Sequence, residues 1–346
     1  MQRSDVMSGR KHYLDNLRSL SILLLFPFHV FMIYNNWGES NYIHGAALAV
    51  PSAINQILYL FMMPLLFAVA GISSRYALHK RSAKQYVGER VRKLLLPLLF
   101  SMLLVLPVQS YIAGLFHNGH ANYLDYYTTV TDFTGYDGAF TPGHLWFILY
   151  LFVISMVSLP LMLLVKRGNA PRRHIPLWAI VLLGLLPCLG NILFDISGKS
   201  PTEFLAYFLL GYFVLAQESV LQTLDKHRFL LLGITVTGAV LTFSFDTILY
   251  EMVGWLAVLA ALGLGRHYLN FTGRVSRYLS NSSFGLYIFH QSWIVVTGYF
   301  ILQWTVNYFA QIPLILVIST VLTFITYELA KRVPIFRWMF ALKNIQ

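Results

Sequence analysis

The chain has 346 residues, of which 57% are hydrophobic, 16% aromatic and only 11% charged. A soluble domain carries about twice this share of charged residues, so the composition excludes an ordinary soluble protein and predicts that lipid is the solvent. The net charge of +11 is typical of a membrane protein whose basic residues lie beside anionic lipid. Because this explains the charge, no nucleic-acid partner is predicted.

Ten apolar segments are each predicted to form a membrane-spanning helix. A span of about 20 apolar residues fits a hydrocarbon core of about 30 Å. In chain order the predicted spans cover 19–37, 52–74, 94–116, 144–165, 176–195, 203–217, 229–245, 249–266, 280–302 and 312–330. The sequence therefore predicts an all-α protein, a single polytopic membrane helix bundle over residues 1–346.

The basic residues predict the orientation of this bundle. If the N-terminus is cytoplasmic, all 25 Lys and Arg except Lys199 fall on the cytoplasmic side. This positive-inside pattern predicts ten spans with both termini in the cytoplasm. Segment 75–93 is then cytoplasmic, and the long loop 117–143, which has no Lys or Arg, is outside. We interpret that loop either as an entrance for a polar molecule or as a plain solvated connection.

The first predicted helix carries Arg18 and His29, eleven residues apart. At about 100° per residue the two side chains share one helix face, and the rise between them is about 16 Å. If Arg18 lies at the cytoplasmic edge, His29 is predicted near the bilayer midplane. Pro27 frees the carbonyl of Leu23 and kinks the helix nearby. Because an ionisable side chain in lipid is costly unless it lines a cavity, His29 is a functional candidate, the alternative being a histidine satisfied by a neighbouring helix.

Two later segments add candidates for a substrate-binding site. In the ninth predicted helix, Ser283, Tyr287 and His290 are spaced on one face, which predicts either a cavity wall or a hydroxyl-rich seam between helices. His144 and Trp146 open the fourth predicted helix from the outside. Trp146 is either part of the site or an anchor at the membrane interface.

Acidic residues near the cytoplasmic face are candidates for orienting Arg18. Glu328, at the end of the tenth predicted helix, is either in a salt bridge with Arg332 four residues later or paired with Arg18. Asp15, one turn before Arg18, competes for the same role. No metal site is predicted.

Six stretches, in order along the chain, resemble the acyltransferase 3 family of membrane O-acyltransferases. They are YLDNLRSL with FPFHVFMIY, then FMMPLLFAVAGISSRYAL, ERVRKLLLPLLF, GHLWFILYLF, NSSFGLYIFHQSW and YELAKRVPIFRWMF. The first resembles the family's opening of an arginine, ten residues and a histidine, whereas Ala70 and Gly71 stand where Ser-Gly is commoner. FPFHVFMIY and HLWF are most similar to the branch that succinylates periplasmic glucans.

The resemblance implies transfer of an acetyl- or succinyl-type group from cytoplasmic acyl-CoA to a hydroxyl of a carbohydrate or glycolipid. An alcohol attacks a thioester poorly until a base removes its proton, and imidazole suits that role, so His29 is the predicted general base. Arg18 is predicted to assist, and no cofactor is expected to bind tightly. The phosphates of acyl-CoA are predicted to bind basic residues at the cytoplasmic face, namely Arg18, Arg75, Arg90, Arg92 and Lys93.

For Arg90, Arg92 and Lys93, simple positive-inside charge is an equally good interpretation.

The predicted location is the bacterial inner membrane, with multiple passes through the bilayer. The alternative function is a secondary transporter of a small polar or anionic solute with a midplane histidine site. Such transporters usually show internal repeats and broken helices, and neither is evident in the sequence.

Overall fold

The computed structural model describes residues 11–38, 41–129, 138–166, 175–196, 198–242 and 249–343. Over these ranges the chain forms helices and no strand, and its one β pairing is an isolated bridge between Ile196 and Lys199. The predicted all-α class is therefore confirmed for the described part of the chain.

The helices are numbered in chain order. The first eight are α1 (His12–Met32), α2 (Ala49–Lys80), α3 (Ala83–Arg90), α4 (Leu96–Leu104), α5 (Leu106–Asn118), α6 (Asp125–Thr128), α7 (Trp146–Val157) and α8 (Leu159–Lys166). The next nine are α9 (Leu177–Leu182), α10 (Leu185–Leu193), α11 (Pro201–Leu210), α12 (Glu218–Lys226), α13 (Arg228–Thr242), α14 (Leu249–Tyr268), α15 (Arg274–Trp304), α16 (Tyr308–Ala330) and α17 (Pro334–Met339). Shorter helical turns join some of them: π-helical Val91–Leu95 and Gly211–Leu215, and 3₁₀-helical Gly143–Leu145.

Several of these helices are long and apolar enough to cross a membrane. In the described ranges there are five such spans, namely α1, α2, the continuous run Ala83–Asn118, α15 and α16. A sixth is obtained if Pro201–Leu215 and α12, which are bent by 98° relative to each other, form one broken span. The architecture fits a multi-pass membrane helix bundle. The count of ten spans and the cytoplasmic position of both termini stay predictions.

The first helix lies earlier in the chain than the predicted 19–37. It begins at His12 and ends at Met32. Residues 33–34 form a turn and Asn35 and Asn36 follow, so the helix ends before the predicted residue 37. His29 consequently lies in the last turn of α1 rather than midway along it.

Helix α1 occupies the centre of the bundle. It packs against α2, α14, α15 and α16. Its buried Ile22, Leu25 and Phe26 belong to the main apolar core. A second apolar cluster joins Val30, at the C-terminal end of α1, to Ile294 on α15. Because close-packed interiors deform little, this packing holds the polar side chains of α1 and α15 in fixed positions.

Helix α2 closely approaches α11 and the π turn that continues it at two glycines. A Cβ atom on Gly71 would lie 2.0 Å from the carbonyl oxygen of Phe208, and one on Gly211 would lie 2.3 Å from the carbonyl oxygen of Ala68. Small residues permit such close backbone contact between helices in lipid. The glycines therefore set the distance between α2 and α11.

We expect Gly71→Ala to lower the free energy of unfolding by about 1–3 kcal/mol, because a backbone carbonyl cannot move aside for the added methyl group. Thermal unfolding of the purified protein in detergent measures this loss. Gly88→Ala in α3 is the matched control, since no atom lies within 4 Å of its added Cβ. Equal melting of the Gly71→Ala variant and the unsubstituted protein would contradict the close crossing.

Candidate active site

Three histidines from different parts of the chain meet inside the bundle. The ring centroid of His290 on α15 lies 5.2 Å from that of His29 on α1 and 5.1 Å from that of His144, in the 3₁₀ turn before α7. The structure thus brings together three of the predicted site residues. Among the described side chains, no group of three or more His, Cys, Asp or Glu could hold a metal ion.

Hydrogen bonds assign the tautomers of two of these histidines. Nδ1 of His290 lies 2.8 Å from the carbonyl oxygen of Tyr287, and Nε2 of His144 lies 3.1 Å from that of Ile288. Because a carbonyl oxygen only accepts, each of these nitrogens carries a hydrogen. The other nitrogens, Nε2 of His290 and Nδ1 of His144, are buried with no hydrogen-bond partner among the described residues. In neutral imidazoles both carry a lone pair, the form that takes up a proton.

Helix α15 anchors the turn that carries His144 at two points. The Tyr287 hydroxyl donates a hydrogen bond to the carbonyl oxygen of His144, and the His144 ring donates to the carbonyl of Ile288. These contacts preorganise the histidine cluster. One helical turn earlier, the Ser283 hydroxyl donates to the carbonyl of Ser280 at 3.4 Å and does not line the cavity beside the histidines.

That cavity, hereafter the histidine cavity, has a volume of about 100 Å³. His29 is half-buried and lines it together with His144, Tyr287 and Trp146, whereas His290 is fully buried behind them. The cavity is also lined by residues of three connecting segments, namely Asn41, Tyr42, Pro142, Gly143, Ile196 and Lys199. The sequence predicts these loops on the outer side of the membrane, so the cavity is predicted to open toward that side.

Other residues of the cavity wall were not predicted as site residues. Gln291 lies four residues after Tyr287, and its position on the same face of α15 could have indicated it. Lys199 also lines the cavity. It is the one Lys or Arg of the sequence outside the predicted cytoplasmic side, and this exception could have indicated it as a site residue. Tyr42 and Tyr59 reach the wall only through tertiary packing, and no local pattern indicates them.

Glu328 does not pair as either sequence hypothesis expected. Its carboxylate accepts hydrogen bonds from the Tyr278 hydroxyl at 2.9 Å and from Nζ of Lys331 at 2.6 Å. Lys331, three residues later on the helix, takes the place expected for Arg332, and Glu328 does not contact Arg18. Tyr278 belongs to α15, so Glu328 ties α16 to that helix at the predicted cytoplasmic end of the bundle.

Three of the five predicted phosphate-binding residues gather at the end of α2. Nη2 of Arg18 donates to Oγ of Ser73 at 3.5 Å, and Nη2 of Arg90 donates to Oγ of Ser74 at 2.7 Å. The next residue, Arg75, donates to a backbone carbonyl in the π turn after α11 at 3.3 Å. We call Arg18, Arg75 and Arg90 the arginine cluster. Each guanidinium group is a planar fork of the kind that binds phosphates.

The remaining charged candidates lie around this cluster. Asp15 Oδ1 is 3.4 Å from Nη1 of Arg18, so Asp15 is the acidic residue that orients that side chain. Lys93 forms an ion pair with Glu89, and Arg92 is exposed. Arg92 and Lys93 therefore contribute general positive charge more than a shaped phosphate site.

The arginine cluster and the histidine cavity lie at opposite ends of α1. Arg18 and His29 are separated by about 16 Å along the helix axis. Leu25 lies between them, is almost fully buried, and forms part of the cavity wall. The arrangement has a basic part at the predicted cytoplasmic end and an imidazole part at the predicted outer end.

Comparison with known proteins gives consistent matches over almost the whole chain. Residues 11–328 match the family described as acyltransferase domain. The chain is 21% identical to glucans biosynthesis protein C of Escherichia coli O139:H28 (strain E24377A / ETEC), covering 98% of this chain and 96% of the relative. The same protein of Escherichia coli (strain K12) and of Escherichia coli O1:K1 / APEC gives the same identity and coverage. No solved structure matches the chain significantly.

Proposed function

The chain belongs to the acyltransferase 3 family and is an acyltransferase, and from this premise we propose that it transfers an acetyl- or succinyl-type group from acyl-CoA to a hydroxyl of a cell-envelope glycan. The relatives named glucans biosynthesis protein C support a carbohydrate acceptor. The histidine cavity has His29, His144, Tyr287 and Gln291 in its wall and faces the predicted outer side, away from the arginine cluster, which supports an acceptor that enters from outside.

The observation that carries the proposal is the histidine cluster beside the cavity. In the proposed reaction His29 removes the proton from the acceptor hydroxyl, and the hydroxyl oxygen attacks the thioester carbonyl carbon. A C–O bond forms and the C–S bond breaks. The thiolate of CoA leaves and is protonated by the imidazolium of His29, so the base is restored. His144, His290 and Tyr287 hold the geometry around it, and Trp146 offers an aromatic wall for a sugar ring.

The arginine cluster is proposed to hold the phosphates of acyl-CoA on the cytoplasmic side. Bidentate guanidinium groups suit phosphate oxygens, and Arg92 and Lys93 add attraction at longer range. Acyl-CoA then acts as a co-substrate and no tightly bound cofactor is required. In this arrangement the donor reaches along α1 toward the cavity, and the acceptor reaches the same point from the other side.

The proposed membrane is the bacterial inner membrane, crossed ten times with both termini in the cytoplasm. This topology predicts different labelling of two exposed positions, Thr129 and Lys84. In a Cys188→Ser background, Thr129→Cys should react with an impermeant thiol reagent in intact cells, whereas Lys84→Cys should react only after lysis. The opposite labelling would overturn the orientation, and with it the side from which the glycan enters.

The proposed reaction is tested with the purified protein in lipid nanodiscs. The protein is incubated with acetyl-CoA or succinyl-CoA labelled in the acyl group and with a gluco-oligosaccharide, and the saccharide is analysed by mass spectrometry. We expect an ester-linked label on the saccharide and release of free CoA. Movement of a solute into proteoliposomes without any covalent transfer would instead support the transporter.

A further inference from the structure

Two glutamates, one from α11 and one from α14, meet beside α10. Glu203 lies in the first turn of α11 and is almost fully buried, and Glu251 lies in the first turn of α14 and is half-buried. Their carboxyl groups lie within hydrogen-bonding distance of each other. Nδ2 of Asn191, on α10, donates a hydrogen bond to Oε1 of Glu251. This carboxyl pair does not line the histidine cavity and has no part in the proposed transfer.

The contact between the two carboxyl groups requires a hydrogen. A carboxylate has no donor, so two ionised groups cannot hydrogen-bond to each other, and at this distance their charges would repel. In the described part of the chain, no Lys or Arg pairs with either of them. The other titratable groups nearby are Cys188, Tyr207 and Tyr250, whose side chains are neutral near pH 7. One of the two glutamates therefore carries a proton, and the pair holds a single negative charge.

The hydroxyl of Tyr207 points toward the same place. Tyr207 follows Glu203 by one helical turn and is fully buried, and its hydroxyl has no hydrogen-bond partner among the described residues. The side chain interacts electrostatically with both carboxyl groups. A Cβ atom on Gly254, one turn after Glu251, would lie 3.5 Å from Oη of Tyr207. The hydroxyl thus lies between α11 and α14, where it can donate to the carboxyl oxygen that carries the charge.

Close backbone contacts fix Glu203 in relation to α10. A Cβ atom on Gly190 of α10 would lie 2.9 Å from the backbone nitrogen of Glu203, and Oγ of Ser200 donates to the carbonyl of Gly190 at 3.0 Å. On another side of α11, the ring of Phe204 lies 5.3 Å from that of Trp146 in the cavity wall. Because α11 is held in this way, repulsion between two ionised glutamates would act mainly on the packing of α14.

We propose that Glu203 and Glu251 form a binding site for one proton, which holds α14 against α10 and α11. Both glutamates begin helices at the predicted outer end of the bundle, and the half-buried Glu251 lets the proton exchange with that side. The inference does not depend on the proposed acyl transfer. A metal cation between two carboxylates would balance the same charge, and it is the other occupant that the experiment must separate.

Unfolding of the purified protein in detergent is measured from about pH 5 to about pH 8, where glutamates of the unfolded chain are ionised. The folded protein holds a proton that the unfolded chain has lost, so a rise in pH favours unfolding. In Glu203→Gln the amide supplies the hydrogen at every pH. Relative to this variant, the unfolding constant of the unsubstituted protein should rise by about tenfold per pH unit. Asp125→Asn, at an exposed position of α6, is the control and should follow the unsubstituted protein.

Infrared spectroscopy at neutral pH provides a second measurement. The unsubstituted protein should show the carbonyl band of a protonated carboxylic acid, and Glu203→Gln should lack it. Glu251→Gln removes the same band and serves if the first variant does not fold. Parallel pH dependence of unfolding in the unsubstituted protein and the glutamine variant, without such a band, would overturn the proposal. Stabilisation of the unsubstituted protein, but not of Glu203→Gln, by Na⁺ or Ca²⁺ at constant ionic strength would assign the site to a metal cation instead.

Discussion

Replacing His29 with alanine should lower the rate of acyl transfer by about 10²–10⁴-fold, the usual contribution of a general acid–base residue. The imidazole of His29 faces the histidine cavity, and its partners His144 and His290 remain to hold the surrounding geometry. The variant should reach normal levels in the membrane and should still bind acyl-CoA, because the arginine cluster lies about 16 Å away.

His29→Gln separates proton transfer from packing. Glutamine forms hydrogen bonds and fills a similar space but cannot take up a proton, so its transfer rate should fall as far as that of the alanine variant. His120→Gln, at an exposed position outside the histidine cavity, is the matched control and should keep the rate of the unsubstituted protein. Transfer rates with saturating donor, together with the amount of folded protein, provide the measurement.

A purely structural His29 would give the opposite pattern. Glutamine would then be tolerated, and alanine would reduce the amount of folded protein more than the rate per folded molecule. An active His29→Gln variant would end the assignment of His29 as the base. Nε2 of His290, which is buried without a partner among the described residues, would become the next candidate.

Arg18→Lys should weaken acyl-CoA binding by about ten- to a hundredfold, which corresponds to the loss of one charge-assisted contact of about 1.5–3 kcal/mol. The substitution keeps the positive charge but removes the planar fork. In the structure Asp15 and Ser73 orient this fork at the end of α2. The ammonium group of lysine sits on a flexible stem and lacks the planar fork. It therefore cannot bond to Asp15, Ser73 and a phosphate in the geometry that the guanidinium group allows.

Equilibrium binding of acyl-CoA to the purified variant measures this effect apart from catalysis. Arg92→Lys is the matched control, because Arg92 is exposed and lies outside the arginine cluster, and its affinity should change little. If Arg18→Lys binds acyl-CoA as tightly and turns over as fast as the unsubstituted protein, Arg18 acts only as a topological charge. The donor site would then have to be sought elsewhere on the cytoplasmic face.

Local patterns in the sequence were sufficient to predict the class of the protein and part of its site. Long apolar segments predicted membrane helices because hydrocarbon admits few other backbone structures, and an all-α bundle is found. Helical periodicity placed Tyr287 and His290 near each other because the repeat of an α-helix is a local property. The same argument placed Arg18 and His29 on one face of α1, but the predicted end of that helix was wrong, because turn-forming residues after Met32 outweigh the apolar pattern.

Contacts between distant segments could not be read from these patterns. His144 and His290 meet because α15 holds the turn before α7, and Lys199 reaches the same cavity from a loop between α10 and α11. Glu328 pairs with Lys331 and Tyr278 because α15 packs against α16 in one particular register. Such registers depend on the interlocking of many side chains and on close approaches such as that at Gly71, and no short stretch of sequence contains this information. Composition and periodicity therefore establish a membrane helix bundle with polar stripes, whereas the packing of the helices selects which stripes face one another and form the site.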